Sequence, residues 1–347
     1  MARRVSHITR ITVLAAAAAI VFTGCSRVEA AGGSDPTEAT DEIRPHTIVF
    51  AHITAETFPY QAGALKFKEV LEELSDGAMT VNVYPGGQLG NERDINESIL
   101  EGSVHVGVGA GALATQAGIM NLLELPFMIS GQEHLARIIE SPIADQLADR
   151  IKEQGGYEVV GWFSTGDSAI QTTDRAITVP ADMQGLKLRA IENPALADAL
   201  SSLGANPTPM PYGEVYTGVQ TGVVEGATLD WGSVNSMHLY EIIKYTTGPE
   251  AAFLAEPRPV IVSVEFWDSL NDAEKDIFST AMAEAAEFER ATFLEVQTEA
   301  IEAIRDSGVT FTELDQAAFQ EVLEPVWQKW ATDLDAQEIL DGILALR

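Results

Sequence analysis

The chain has 347 residues, 46% of them hydrophobic and 21% charged, which is enough for one large or two medium domains with cores of their own. A single cysteine excludes a disulfide scaffold, and the ordinary apolar content excludes a chain disordered throughout. The 21 lysines and arginines face 52 acids, a formal charge of −31 that repels phosphate backbones and anionic lipid and argues against nucleic acid as a partner; solubility or adaptation to salt accounts for it.

Arg3, Arg4 and Arg10 form a positive start with no acid among them, and Ile11 to Phe22 is an apolar run. That run is short for a bilayer span but suits the apolar core of a signal peptide. It ends in FTGC, which resembles a bacterial lipobox with Phe22 where leucine is usual; Cys25 would then be lipidated. The alternative is ordinary cleavage near Ala30–Ala31, which discards Cys25. Residues 1–24 read as a signal peptide of lipoprotein type and 25–45 as a flexible tether, so export is expected either way.

His46–Ile53 reads as a strand, and Tyr60–Leu74 carries Leu65, Phe67, Val70, Leu71 and Leu74 at helical spacing. Met79–Tyr84 alternates as a half-buried strand, Glu92–Glu101 reads as a helix ended by Gly102, and Val104–Val108 as a third strand. This β-α-β-α-β order predicts a parallel-rich α/β sheet. The grammar recurs, with strands at Glu158–Phe163, Leu186–Ile191 and Gly226–Leu229 and helices at Ala195–Leu203 and Tyr212–Thr221. Asp272–Asp306 predicts a long acidic helix closed by Gly308, its apolar stripe made of Ile277, Met282, Phe288, Phe293, Val296, Ile301 and Ile304. At about 1.5 Å per residue it outruns one small domain and reads as a strut across two.

Catalytic patterns are missing. The histidines are scattered without HExxH or HxH spacing, no GxxxxGK[ST] occurs, and Ser164 in GWFSTG has the wrong spacing for a nucleophile elbow. Gly107-Val-Gly-Ala-Gly-Ala112 satisfies GxGxx[GA], yet it follows the third predicted strand and no acid ends a strand about twenty residues on. Small residues that admit a close neighbour explain it. No enzyme, metal or cofactor is expected.

Two stretches carry a resemblance: VYPGGQLGNERDINESILEGSVHVGVG (83–109) and ITVPADMQGLKLRAIENPALADALSSLGANPTPMPYGEVYTGVQTGVVEGATLDW (177–231), followed by YEIIKYTT (240–247). Together they resemble the DctP family, the solute-binding proteins of tripartite ATP-independent periplasmic (TRAP) transporters, and the similarity spans most of residues 46–330. The resemblance implies an α/β, two-lobed periplasmic-binding-protein-like clamshell with crossing strands and a long helix spanning both lobes. Lobe I is expected over 46–165 plus about 252–290, and lobe II over 166–251 plus about 291–347. It further implies capture of a small organic acid between the lobes and delivery to small and large membrane permease subunits, by a periplasmic monomer attached to membrane only through its lipid. A ligand-presenting sensor lobe, or an exported hydrolase, is the alternative.

Arg189 follows Leu186 and Leu188, an alternation that buries it, where an arginine is costly unless paired. The resemblance makes it a fork for the ligand carboxylate, and an internal salt bridge with Glu192 is the competing reading. Tyr212 matches the family's pocket aromatic, with core packing as its alternative, and Leu229, Asp230 and Trp231 occupy a cleft-lining segment. His52, Ser168 and Glu192 complete the candidate set. Many relatives carry a second arginine in a Gly-x-Arg segment where this chain has Gly166-Asp167-Ser168-Ala169. A pocket with one arginine and few polar groups suits a monocarboxylate with an apolar or aromatic body better than a sugar acid or compact dicarboxylate. Glu192 and Asp230 leave a zwitterion open.

Overall fold

The alternating run His46–Ala51 forms the first strand, β1, in a computed structural model that describes residues 42–347. The expected signal peptide, Cys25 and nearly all of the tether lie outside those residues. α1 (Pro59–Leu74) begins with a proline in its first turn, buries Ala64, Phe67, Val70 and Leu71, and leads to β2 (Met79–Tyr84), parallel to β1. A capping box between Asn91 and Asp94 starts α2 (Glu92–Leu100), and β3 (Val106–Val108) joins the other side of β1 in parallel. The β-α-β-α-β expectation holds here element for element.

Three helices follow that the sequence pattern did not announce: α3 (Met120–Leu123), α4 (Gln132–Ile139) and α5 (Pro142–Gly155). Then come β4 (Tyr157–Thr172), β5 (Lys187–Ala190), α6 (Pro194–Ser202), β6 (Asn206–Pro209), α7 (Val215–Gln220), β7 (Gly226–Asp230) and α8 (Trp231–Ser236). The chain ends with β8 (Tyr245–Thr247), β9 (Leu254–Ser263), α9 (Val264–Ser269), α10 (Asp272–Asp306), β10 (Thr310–Thr312), α11 (Gln316–Asp333) and α12 (Gln337–Ala345). The strands run β2-β1-β3-β9-β4-β7-β5-β6, with β8 on β4 and β10 on β8. Among the described residues no helix is long and apolar enough to cross a membrane.

The central pair differs from expectation. β4 is 16 residues long rather than six, because register shifts between Val159 and Gly161 and between Ser164 and Asp167 break the alternation that would have marked it. β9, its antiparallel partner, carries Pro257 and Pro259, residues that ordinarily argue against a central strand. Pro259 turns its carbonyl to Gly109 N at 2.8 Å, so its missing N–H falls on the side where short β3 ends, and the ladder to β4 survives. The helix expected over 212–221 is a 3₁₀ turn at Tyr212–Glu214 followed by α7.

α10 is the expected strut, 35 residues and about 52 Å long. Its first half packs Phe278 and Met282 into the core of β1–β3 and α1, while Ala300 and Ile304 enter a separate core with β7 and α8. The stripe is corrected at one point: Phe288 is exposed, and the neighbouring Glu289 is fully buried. A third core joins α3, α5, α6, α11 and α12. The close-approach reading of the glycine run also holds, since a Cβ on Gly111 would stand 2.8 Å from Ile191 Cγ2.

Candidate functional site

A cavity of about 380 Å³ lies where the chain leaving β1, the loop before α2 and the turn before α7 meet β4, β5, β7 and β9. His52, Ser168, Arg189, Glu192, Tyr212, Leu229 and Asp230 all line it. Trp231 does not: it is 1% exposed, stacked on Phe311 at 5.7 Å in the core beneath α8. β7 ends at Asp230, and Trp231 opens α8 with its side chain in that core.

Arg189 sits on β5, buried to 3% exposure, with Nε donating to the carbonyl of Met210 at 3.1 Å. Burial pulls its pKa down to about 10, and Tyr212, Glu256, Glu92 and Glu124 oppose that by their charge. Among the described residues no carboxylate lies within ion-pair distance of it. Glu192 turns elsewhere, 4.0 Å from Arg93 Nη2.

Tyr212 donates its hydroxyl to Ser233 Oγ at 3.0 Å, and burial pushes its pKa up. Asp230 caps α8, accepting from the Ser233 N–H at 2.8 Å and from the Ser233 hydroxyl. Burial raises its pKa to about 7 against those hydrogen bonds. His52 has Nε2 2.9 Å from Gln61 Oε1 and Nδ1 3.0 Å from Thr54 Oγ1, and burial lowers its pKa, so it is neutral at pH 7.

The cavity holds a second arginine, which corrects the expectation of one. Arg258, on β9, is gripped by Glu124 and lies 2.8 Å from Glu256 Oε1. Thr165 donates to Glu256 Oε2 at 3.1 Å. Burial works against the Glu256 charge, but Arg258 and the hydrogen bonds win and hold its pKa below the usual value. Burial pushes Glu124 well up. This arginine is thus committed to protein carboxylates.

Polar groups are also more numerous than expected. Tyr60 lines the cavity with a buried hydroxyl that has no partner, and Asn91, Glu92, Thr165, Thr228 and Ser233 join it. Glu92 accepts from Ala110 N at 2.8 Å. Sequence reasoning missed Arg258, Glu256 and Glu92. A charged pair inside the otherwise apolar FLAEPRPVIVS was the available signal, and the prolines masked it.

The family model for bacterial extracellular solute-binding protein, family 7 (DctP) matches residues 50–333. A solute-binding protein of Roseobacter denitrificans is 31% identical over 274 residues, 79% of this chain and 83% of that one. Its structure with bound L-galactonate superposes with a TM-score of 0.78, covering 88% of this chain and 99% of that one. The C4-dicarboxylate-binding periplasmic protein DctP of Rhodobacter capsulatus is 30% identical over 301 residues, 85% and 89% of the two chains. A TRAP periplasmic solute-binding protein of Chromohalobacter salexigens, solved with D-glucuronate, is 26% identical with a TM-score of 0.82 over 86% of this chain and all of that one.

Proposed function

Because the chain belongs to the DctP family of bacterial extracellular solute-binding proteins, the substrate binders of TRAP transporters, we propose that its cleft captures a small polyhydroxylated carboxylate and hands it to a membrane permease. Arg189 carries this reading. Its guanidinium is buried at the cavity wall, oriented by one bond from Nε, and its two terminal nitrogens face no protein acceptor among the described residues. A carboxylate accepts from such a fork in bidentate fashion.

The hydroxyl and carboxylate groups around the rest of the cavity favour a hydroxylated body over an apolar or aromatic one, because buried polar groups need partners. L-galactonate and D-glucuronate, held by two relatives, have one carboxylate and several hydroxyls. In this reading the cleft closes between the lobes assigned above, 46–165 with 252–290 and 166–251 with 291–347, as β4, β9 and α10 flex. The C-terminal helices then serve both lobes, since α12 packs on α5 and α11 on α6. The protein works outside the cytoplasm as a monomer, tethered through a lipid on Cys25, and its site performs no chemistry.

A thermal-shift panel tests the ligand class. Aldonates and uronates at saturation should raise the melting temperature by several degrees, since a ligand at 100 times its Kd adds about 2.7 kcal/mol. A panel in which only aromatic or aliphatic monocarboxylates stabilise the protein would replace the hydroxylated ligand with an apolar one.

A further inference from the structure

The cavity that is to hold an anion is itself acidic. Five carboxylate residues, Glu92, Glu192, Glu214, Asp230 and Glu256, line it beside two arginines. Arg258 is spent on Glu124 and Glu256, so among the described residues lining the cavity Arg189 is the cation left for an anion. β5 and β7 run parallel with Arg189 opposite Ala227, which sets Asp230 three residues further along, about 10 Å at roughly 3.3 Å per residue. Both residues line the one cavity, so a ligand with its carboxylate on Arg189 can reach Asp230 with its far end. That carboxyl is 5% exposed, Ser168 opposite it on β4 is uncharged, and no cation among the described residues lies within ion-pair distance of it.

We propose that Asp230 sets the charge selectivity of the cleft, accepting a ligand whose far end is a hydroxyl and penalising one whose far end is a second carboxylate. This rests on the reading of the cleft as a carboxylate site. A hydroxyl can donate to the Asp230 carboxylate, whereas a second anion would be buried against it without a cation between them. The ionisable groups acting on Asp230 are Glu256, Tyr212 and Tyr60, with Arg189, Arg258, Glu92, Glu214 and His52 on the same wall. Because burial raises Asp230 to about 7, it is mostly ionised at pH 8 and mostly neutral at pH 6. Admitting a second carboxylate at pH 8 requires protonating Asp230 one pH unit above that value, a penalty of about tenfold in affinity that fades by pH 6.

Calorimetry at pH 6 and pH 8 with two matched pairs, L-galactonate with galactarate and D-gluconate with D-glucarate, tests this. Within each pair only the terminal carbon differs, alcohol against carboxylate. The preference for the monocarboxylate should grow by about tenfold between pH 6 and pH 8 in the wild type. It should stay flat in Asp230→Asn, which keeps the helix cap because asparagine caps as well as aspartate. A preference that does not change with pH in the wild type, or one that changes equally in Asp230→Asn, overturns the proposal. Binding of none of the four compounds instead removes the sugar-acid reading of the cleft, and the selectivity with it.

Discussion

Arg258 and Glu124, 134 positions apart in sequence, meet as a buried ion pair behind the cleft wall. Glu256 completes the cluster from the same strand as Arg258, so one guanidinium ties β9 to the chain following α3. Glu124 Oε2 and Arg258 Nε have no further hydrogen-bond partner. The arrangement leaves little slack, and losing its only cation would strand two buried acids.

Arg258→Ala should therefore lower unfolding stability by about 3–5 kcal/mol, the usual result of breaking a buried pair from one side. Urea unfolding of the ligand-free protein measures this. A loss under 1 kcal/mol would mean that Glu124 and Glu256 share a proton comfortably without the arginine.

Glu289, in the middle of α10, accepts from the backbone of Ser164 at 3.0 Å beside the register shift of β4. Burial pushes its pKa well above the usual carboxylate value. The folded state thus holds a proton that the unfolded chain releases above about pH 4.5, and this residue's contribution falls as pH rises from there toward its raised pKa. Glu289→Gln removes the penalty while keeping an acceptor for Ser164. The variant should match the wild type near pH 4.5 and melt higher than it at pH 8. A lower melting temperature at pH 8 would show that the ionised carboxylate is needed.

Export has its own readout. Mass spectrometry of the membrane-associated protein should find a mature N-terminus at Cys25 carrying several acyl chains, because a single chain binds membranes only marginally. An unmodified N-terminus at Ala31 or later would put Cys25 in the discarded peptide.

Closure is measurable by small-angle scattering. A saturating sugar acid should contract the protein if the lobes move on ligand binding, and unchanged dimensions would indicate a rigid scaffold.

Local pattern made much of the fold legible. Period-two and helical spacing placed β1 to β3 and α1 to within two residues at most ends, and α10 to the residue, because those elements obey one rule from end to end. β4 and β9 were harder, since bulges and prolines break alternation in strands whose stability comes from pairing with each other. The site divided in the same way. Arg189 was legible as a charge on a buried strand within a recognisable motif. Arg258 was not, because its meaning depends on Glu124, which only the folded chain brings to it. Trp231 failed as a lining residue because its neighbour Asp230 ends the strand, and the next side chain belongs to the core.

Calorimetry on Arg189→Ala and Arg189→Lys, with a sugar acid that stabilises the wild type, tests most directly whether Arg189 is the carboxylate anchor. Arg189→Ala should lose about 3 kcal/mol of binding or more, since the ligand carboxylate would be buried unpaired. Arg189→Lys should also bind poorly despite keeping the charge, for want of the two-pronged geometry. Both ligand-free variants should melt close to the wild type, because no carboxylate among the described residues pairs with this guanidinium. Unchanged affinity in a destabilised ligand-free protein would contradict the account and return Arg189 to a structural role.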